Sequence, residues 1–240
     1  MKTGIRYKDT ARYYDLMFEW KDYGKDTKRI IEVIRQNKRS SGRELLEVAC
    51  GTGNYLKHLQ KSFSCTGLDL FGEMLAIARK KVPRAKYIKA DMINFKLKKR
   101  FDVILCLFAD ISYTRTYPNL RRAIRNFYAH LNKGGVLIFD PWLDGPIYRV
   151  GEPGMSVYDG KDIKIARLSV QNTKNGMTHE VMHFLVAERN KPVKHFTVLD
   201  EGGLFEKKKV MAIMKGSGFD AKYIKKGLSP GLGLYLGVKK

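Results

Sequence analysis

Leu45-Leu46-Glu47-Val48-Ala49-Cys50-Gly51-Thr52-Gly53-Asn54-Tyr55 decides the fold of this chain. A short apolar run ends on an acid, and two closely spaced glycines then open toward an amphipathic segment. That order reads as a strand, a tight loop against which a ligand can lie, and a helix. The small residues are spaced Ala49-x-Gly51-x-Gly53. A dinucleotide loop instead uses G-x-G-x-x-G, which aims a helix N-terminus at a pyrophosphate. Glu47 sharpens the distinction, because a carboxylate at the strand end repels a pyrophosphate but suits ammonium and sulfonium groups. The pattern therefore favours S-adenosyl-L-methionine over NAD.

The strands that follow carry fitting chemistry. Asp69 comes sixteen residues after Gly53, at the end of a second apolar run, where a carboxylate can accept from both ribose hydroxyls. Lys89-Ala90-Asp91-Met92 closes a third short strand; Asp91 is placed to accept from an adenine amino group and Met92 to pack on the ring. Phe101 to Phe108 is a fourth strand ending near the same edge. Further on, Pro118 opens a helix whose Leu120, Ile124, Phe127 and Leu131 share a face. Asn132-Lys133-Gly134-Gly135 is expected to stop it before a fifth strand, Val136 to Asp140.

With Glu47 to Gly53, Asp69 and Asp91-Met92 in this order, the chain resembles class I S-adenosylmethionine-dependent methyltransferases. The resemblance implies an α/β fold, a Rossmann-like sandwich with a mostly parallel sheet and a small antiparallel β insert. It also implies that Tyr23, Ala49, Asp69, Asp91, Met92 and Leu107 hold the cofactor, alongside Glu47, Gly51 and Gly53 of the loop. A narrower resemblance is to the amino-sugar N,N-dimethyltransferases of the desosamine and mycaminose type. It rests on Tyr14-Asp15-Leu16, Lys21-Asp22-Tyr23, Val48 to Gly53, Asp140-Pro141-Trp142, His183-Phe184, His195-Phe196 and Gly233 to Val238. The expected activity is methyl transfer to an amine nitrogen of a small molecule such as an amino sugar. Asp110 is the first choice for holding the cationic amine, with Tyr14 and His183 as proton acceptors. Tyr14 and Phe18 would close a lid, and Phe18, Trp142, Met155 and Tyr158 would contact the acceptor.

Residues 1–141 read as lid plus cofactor-binding core, 142–205 as an antiparallel flap, and 206–240 as a helix and strands that complete the core. The flap is read from period-two alternation in Ile163 to Val170 and Thr178 to Ala187, around Asn175-Gly176, a hairpin signal. A homodimer through this insert is a further expectation. His179-Glu180-Val181-Met182-His183 matches the zinc-protease pattern H-E-x-x-H, which requires a helix. Its neighbours favour a strand, on which the two imidazoles stand roughly 13 Å apart and cannot share one metal; no metal is expected.

Composition bounds the alternatives. A chain of 240 residues can bury a substantial single core. Cys50, Cys65 and Cys106 are odd in number and lack metal spacing, as expected of reduced thiols in a cytoplasmic protein. No apolar run approaches a membrane span, and no cleavable signal pattern is visible. The formal net charge is +22. Without a basic–aromatic repeat or a nucleic-acid module, that charge favours a solvated surface over a nucleic-acid partner. Two other readings stay open: an RNA or protein methyltransferase recruited by this surface, and a non-catalytic S-adenosylmethionine-binding interaction protein.

Overall fold

A computed structural model describes residues 7–141, 148–229 and 231–240. The elements in chain order are α1 (Tyr7–Met17), α2 (Tyr23–Asn37), β1 (Glu44–Val48), α3 (Asn54–Leu59), β2 (Ser64–Asp69), α4 (Gly72–Lys81), β3 (Lys86–Lys89) and β4 (Phe101–Cys106). After a 3-10 turn (Asp110–Thr114) come α5 (Tyr117–His130), β5 (Leu131–Phe139), β6 (Pro153–Asp159), β7 (Ile163–Val170), β8 (Thr173–Lys174) and β9 (Met177–Thr178). The chain ends in β10 (Glu180–Glu188), β11 (Lys194–Asp200), α6 (Lys207–Gly216), β12 (Phe219–Ile224) and β13 (Leu234–Lys239).

The main sheet has seven strands in the order β12-β13-β5-β4-β1-β2-β3. β1 pairs in parallel with β2 and β4, and β13 runs antiparallel to both of its neighbours. Strands covered on both faces carry apolar side chains at successive positions, which explains the unbroken run Val103-Ile104-Leu105-Cys106. Alternation sends Leu46, Val48 and Ile104 toward α5 and α6, where they meet Leu120, Ile124, Phe127 and Met214. It sends Leu45, Val103 and Leu105 toward α2 and α3, against Ile30, Ile34 and Leu56. Glu47 shares the face of Leu45, so its carboxylate is carried toward α3.

Local signals fix the helix starts. Asp22 caps α2, its carboxylate accepting from the Lys25 N–H at 2.8 Å. Thr116 caps α5, with Pro118 in the first turn. The expected stop at Asn132 to Gly135 differs in detail: β5 begins at Leu131 and takes this segment in as an irregularity, Phe101 pairing with Leu131 and Val103 with Val136. The cause is Asp102, which accepts from Asn132 Nδ2 at 3.1 Å and from the Glu44 N–H at 3.0 Å. That carboxylate holds the segment against the sheet.

A second sheet, in the order β11-β10-β7-β6, is antiparallel throughout. Its inner face carries Ile165, Met182, Phe184, Val186 and Val198 and packs on Tyr13 and Met17 of α1. Asn175 and Gly176 both take positive φ (55° and 74°) and form the tight turn between β8 and β9. The H-E-x-x-H segment runs into β10, so it is extended. Among the described residues, no helix is long and apolar enough to cross a membrane.

Candidate active site

Parallel pairing lines up the carboxyl ends of β1, β2, β3, β4 and β5 on one edge, and the chain reverses its winding between β1 and β4. Open α/β sheets bind ligands at that crevice. Tyr14, Tyr23, Glu47, Ala49, Gly51, Leu107 and Asp110 line a cleft there. The loop after β1 is wound tightly: Ala49, Gly51 and Gly53 take φ of 56°, 51° and 78°. A Cβ on Gly51 would meet nothing within 4 Å, so its open side faces ligand space. Gly53 does a different job and sits below the cleft, since a Cβ there would lie 3.2 Å from Ala78 of α4. Asp69 braces the loop from β2, accepting from the Gly51 N–H at 2.8 Å and, through its other oxygen, from the Phe71 N–H at 2.9 Å.

The cleft is acidic, with Glu47 and Asp110 in its lining. Burial, reinforced by Asp69 and opposed by a backbone hydrogen bond from Leu56, holds the Glu47 carboxyl well above its usual range. Glu47 Oε2 is buried without a hydrogen-bond partner. Burial also raises Asp69, despite its backbone bonds. Asp110 is raised strongly by burial and by the charges of Asp69, Asp140, Glu47 and Asp200. Uncompensated buried acids of this kind are costly until a cation arrives. S-adenosylmethionine carries two positive groups, so the acids, the orphaned Glu47 oxygen and the open side of Gly51 together fit it.

The wall after β4 is strained. Phe108 and Ala109 are consecutive non-glycine residues with φ of 66° and 63°, a conformation that persists only where its surroundings impose it. Asp140, just beyond β5, lies against this turn, where the Ala109 N–H partly offsets the burial of its carboxyl, and its Oδ1 is buried without a hydrogen-bond partner. Behind the turn, Lys21 pairs with Asp26 at 2.8 Å and lies 4.9 Å from the Phe108 ring centre. Tyr55 donates to the same Asp26 oxygen at 3.0 Å.

Burial pushes Asp140 up to about 6, against the two backbone bonds it accepts. The folded value lies above the unfolded one, so the native state binds this proton more tightly, and stability is lost as pH rises from about 4 through about 6. A shift of about two units corresponds to roughly 3 kcal/mol. Part of that is already lost at pH 4.5, so Asp140→Asn is expected to gain on the wild type by about 2 kcal/mol between pH 4.5 and pH 7.5. Urea melts at the two pH values check it; a variant whose offset from wild type is the same at both removes the assignment.

The other expected site residues divide between the cleft's surroundings and more distant positions. Phe18 stands over the cleft, 4.8 Å from the Tyr14 ring and edge-on to Phe108 at 5.0 Å. Asp91 sits at the same sheet edge, beyond β3, and accepts from the Ile93 N–H at 2.8 Å. Met92 packs on the core that faces α5. Tyr158 packs on the inner-face cluster with Tyr13 and Met17. Met155 and His183 are not brought to the cleft. Met182, Phe184 and Val186 face α1, so alternation turns His183 outward, its Nδ1 lying 3.2 Å from His195 Nε2. Met155 opposes Leu168, which opposes His183, so it shares that outer face and is 71% exposed. Trp142 lies outside the described residues. His179 pairs with Glu201 at 3.0 Å, an environment separate from that of His183.

Several cleft residues were not picked out from the sequence. Thr52, Asn54, Tyr55 and Phe108 line it, and Asp140 supports it. The first three adjoin the glycine loop, and Asp140 repeats the strand-end acid of β1 and β2. Those were the available signals.

This strand order, a glycine loop after β1 and acids at the ends of β1 and β2 define a Rossmann-like, S-adenosylmethionine-dependent methyltransferase. Residues 45–135 match the methyltransferase domain family. The chain is 33% identical over 233 residues to dTDP-3-amino-3,4,6-trideoxy-alpha-D-glucopyranose N,N-dimethyltransferase of Streptomyces venezuelae, covering 96% of this chain and 98% of that one. The crystal structure of DesVI from the same organism superposes with a TM-score of 0.88 at 31% identity, over 99% of this chain and 100% of that one. The S-adenosylmethionine-bound amino pentose methyltransferase CalS10 of Micromonospora echinaspora gives 0.84 at 25% identity, covering 100% of each chain. The chain belongs to the amino-sugar N,N-dimethyltransferase family. It is an enzyme that uses S-adenosylmethionine to methylate an amine nitrogen of a small molecule.

Proposed function

We propose that the acceptor is an amino sugar, that Asp110 holds its amine, and that Tyr14 closes over it. The observation that carries the reading is a half-buried carboxyl of raised proton affinity on the wall of the donor cleft. S-adenosylmethionine supplies an electrophilic methyl group on a sulfonium, and an amine attacks it only as the free base. A carboxylate whose pKa lies well above the usual range is a better acceptor for the ammonium proton than an ordinary aspartate. Orientation of the amine supplies the rest of the acceleration. His183, which faces away from α1, has no part in this scheme.

The flap contributes the far wall. Arg167 of β7 lies 5.8 Å from the Phe18 ring centre, on the inner face. Its partner in register, Ser156 of β6, has a buried Oγ without a hydrogen-bond partner. A guanidinium beside an unfilled hydroxyl suits the hydroxyl or phosphate oxygens of a sugar or its carrier. Relatives named for dTDP-linked amino sugars support the same class.

Free and nucleotide-linked amino sugars, tested with S-adenosylmethionine and read by S-adenosylhomocysteine release, should include a substrate. On that substrate Asp110→Asn should lose about 10²- to 10⁴-fold in kcat/KM while binding the donor normally. Turnover on simple amines but on no amino sugar would overturn the acceptor class. Unchanged kcat/KM would remove Asp110.

We further propose a homodimer through the outer face of the second sheet. Met155, Val157, Leu168, Val170, Val181, Leu185 and Leu199 are exposed there, between 41% and 71%. Contiguous apolar surface of this kind marks an interaction site. Lys164 of this face is paired with Asp159, which leaves a polyanion little charge to bind there, so a second copy fits the face better. Leu168→Asp should turn a dimer into a monomer in sedimentation while leaving donor affinity unchanged; a monomeric wild type would end the idea. The three cysteines are free and buried, in keeping with a reducing cytoplasm.

A further inference from the structure

One carboxylate ties the N-terminal helix to the donor loop. Asp15 of α1 accepts through Oδ1 from Thr52 Oγ1 at 2.6 Å and from Asn54 Nδ2 at 3.0 Å. Its Oδ2 accepts from Lys81 Nζ of α4 at 2.7 Å. Lys81 closes the cluster by donating also to Thr52 Oγ1, at 3.2 Å, and to Asn54 Oδ1. Burial opposes ionisation of Asp15, but the bonds from Lys81, Thr52 and Asn54 outweigh it and keep the group below its usual range. Thr52 and Asn54 are themselves walls of the donor cleft, and Tyr14, next to Asp15, is another.

The far side of α1 is held by the second sheet. Tyr13 donates to Glu188 Oε1 at 2.9 Å, and Arg12 pairs with the same carboxylate. Tyr13 and Met17 pack on Met182 and Phe184. The helix thus lies between the donor loop and the sheet that walls the acceptor space. Asp15 gives it a polar attachment to the loop.

We propose that Asp15 is a positioning residue that couples donor binding to the placement of α1. Ligand in the cleft fixes Thr52 and Asn54, which fix the Asp15 carboxylate, which sets Tyr14 and Phe18 over the acceptor space. Linkage makes the coupling reciprocal, so donor occupancy tightens acceptor binding and acceptor tightens donor. Couplings of this kind typically amount to about 5- to 150-fold. This rests on the glycine loop being the donor site.

Hydrogen exchange of residues 10–17 in the full chain, with and without saturating S-adenosylhomocysteine, tests it. In the wild type, protection of α1 should rise at least fivefold on binding. In Asp15→Ala, and separately in Lys81→Met, that rise should fall below twofold while residues 49–54 still gain protection. Arg12→Ala serves as the control: it loosens α1 from Glu188, yet the donor-induced rise should persist. A full rise in both Asp15→Ala and Lys81→Met overturns the proposal, as does an Arg12→Ala variant that loses the rise equally. A wild type that binds S-adenosylhomocysteine without any rise in α1 also overturns it. Failure of the wild type to bind at all removes the donor site and, with it, the coupling.

Discussion

Glu47→Gln is expected to weaken S-adenosylmethionine binding by about 10- to 100-fold while leaving the ligand-free protein as stable as the wild type or more so. The two halves of that expectation share one cause. Glu47 is 2% exposed, its Oε2 has no partner, and Asp69 adds like charge beside it. In the empty protein an ionised carboxylate here is a burden, and a neutral amide of the same shape relieves it. With a cation in the cleft the balance reverses, because a hydrogen bond to a charged group contributes about 1.5–3 kcal/mol. Calorimetry for the affinity and a thermal melt at pH 7.5 for the stability check both halves. Lower stability with unaltered binding would show that the Glu47 carboxylate serves the fold and not the donor.

Gly67→Val should cost about 3 kcal/mol or more, enough to lower the melting temperature by roughly 6–12 °C in a chain of this size. Gly67 lies in β2, in register with Glu47. A Cβ on it would stand 2.7 Å from Cys50 Sγ, 2.9 Å from Leu56 Cδ1 and 3.1 Å from Tyr87 Cδ1. None of the three can withdraw freely. Cys50 is bound through its N–H to the Leu68 carbonyl at 3.0 Å, and Leu56 is wholly buried. The missing side chain lets the donor loop fold back over β2, so the substitution should also weaken donor binding. Gly67→Ala is the milder version and should fall between the two. A melt within 2 °C of wild type for valine would contradict the packing.

What the sequence made legible was local. Glu47, Ala49 and Gly51 could be read because strand, acid and turn adjoin in one stretch. Asp69 and Asp91 followed from the repetition of acids at strand ends. His183 and Met155 show where that reasoning stops. Alternation groups Val181, His183 and Leu185 on one face of β10, but Met182, Phe184 and Val186 make the other face equally apolar. Which of them meets α1 is decided by packing against a helix far away in the chain, and the pattern carries no sign of it. Asp140 was recognisable as a strand-end acid, yet its role depends on the strained turn at Phe108 and Ala109. The Asp15–Lys81 pair joins residues that only the folded chain brings together. Hydrophobic periodicity finds elements; it does not find polar clusters assembled from several of them.

β13 slots between β5 and β12. In a growing polypeptide, β5 emerges long before its neighbour, because the whole second sheet and α6 must be made first. At about 5–20 residues per second, the flank of β5 stays open for roughly 5–20 s. An open apolar strand of that age is a template for wrong pairing with other nascent chains. Slower translation should therefore lower the soluble yield of this enzyme, and co-expressed holdase chaperones should restore it.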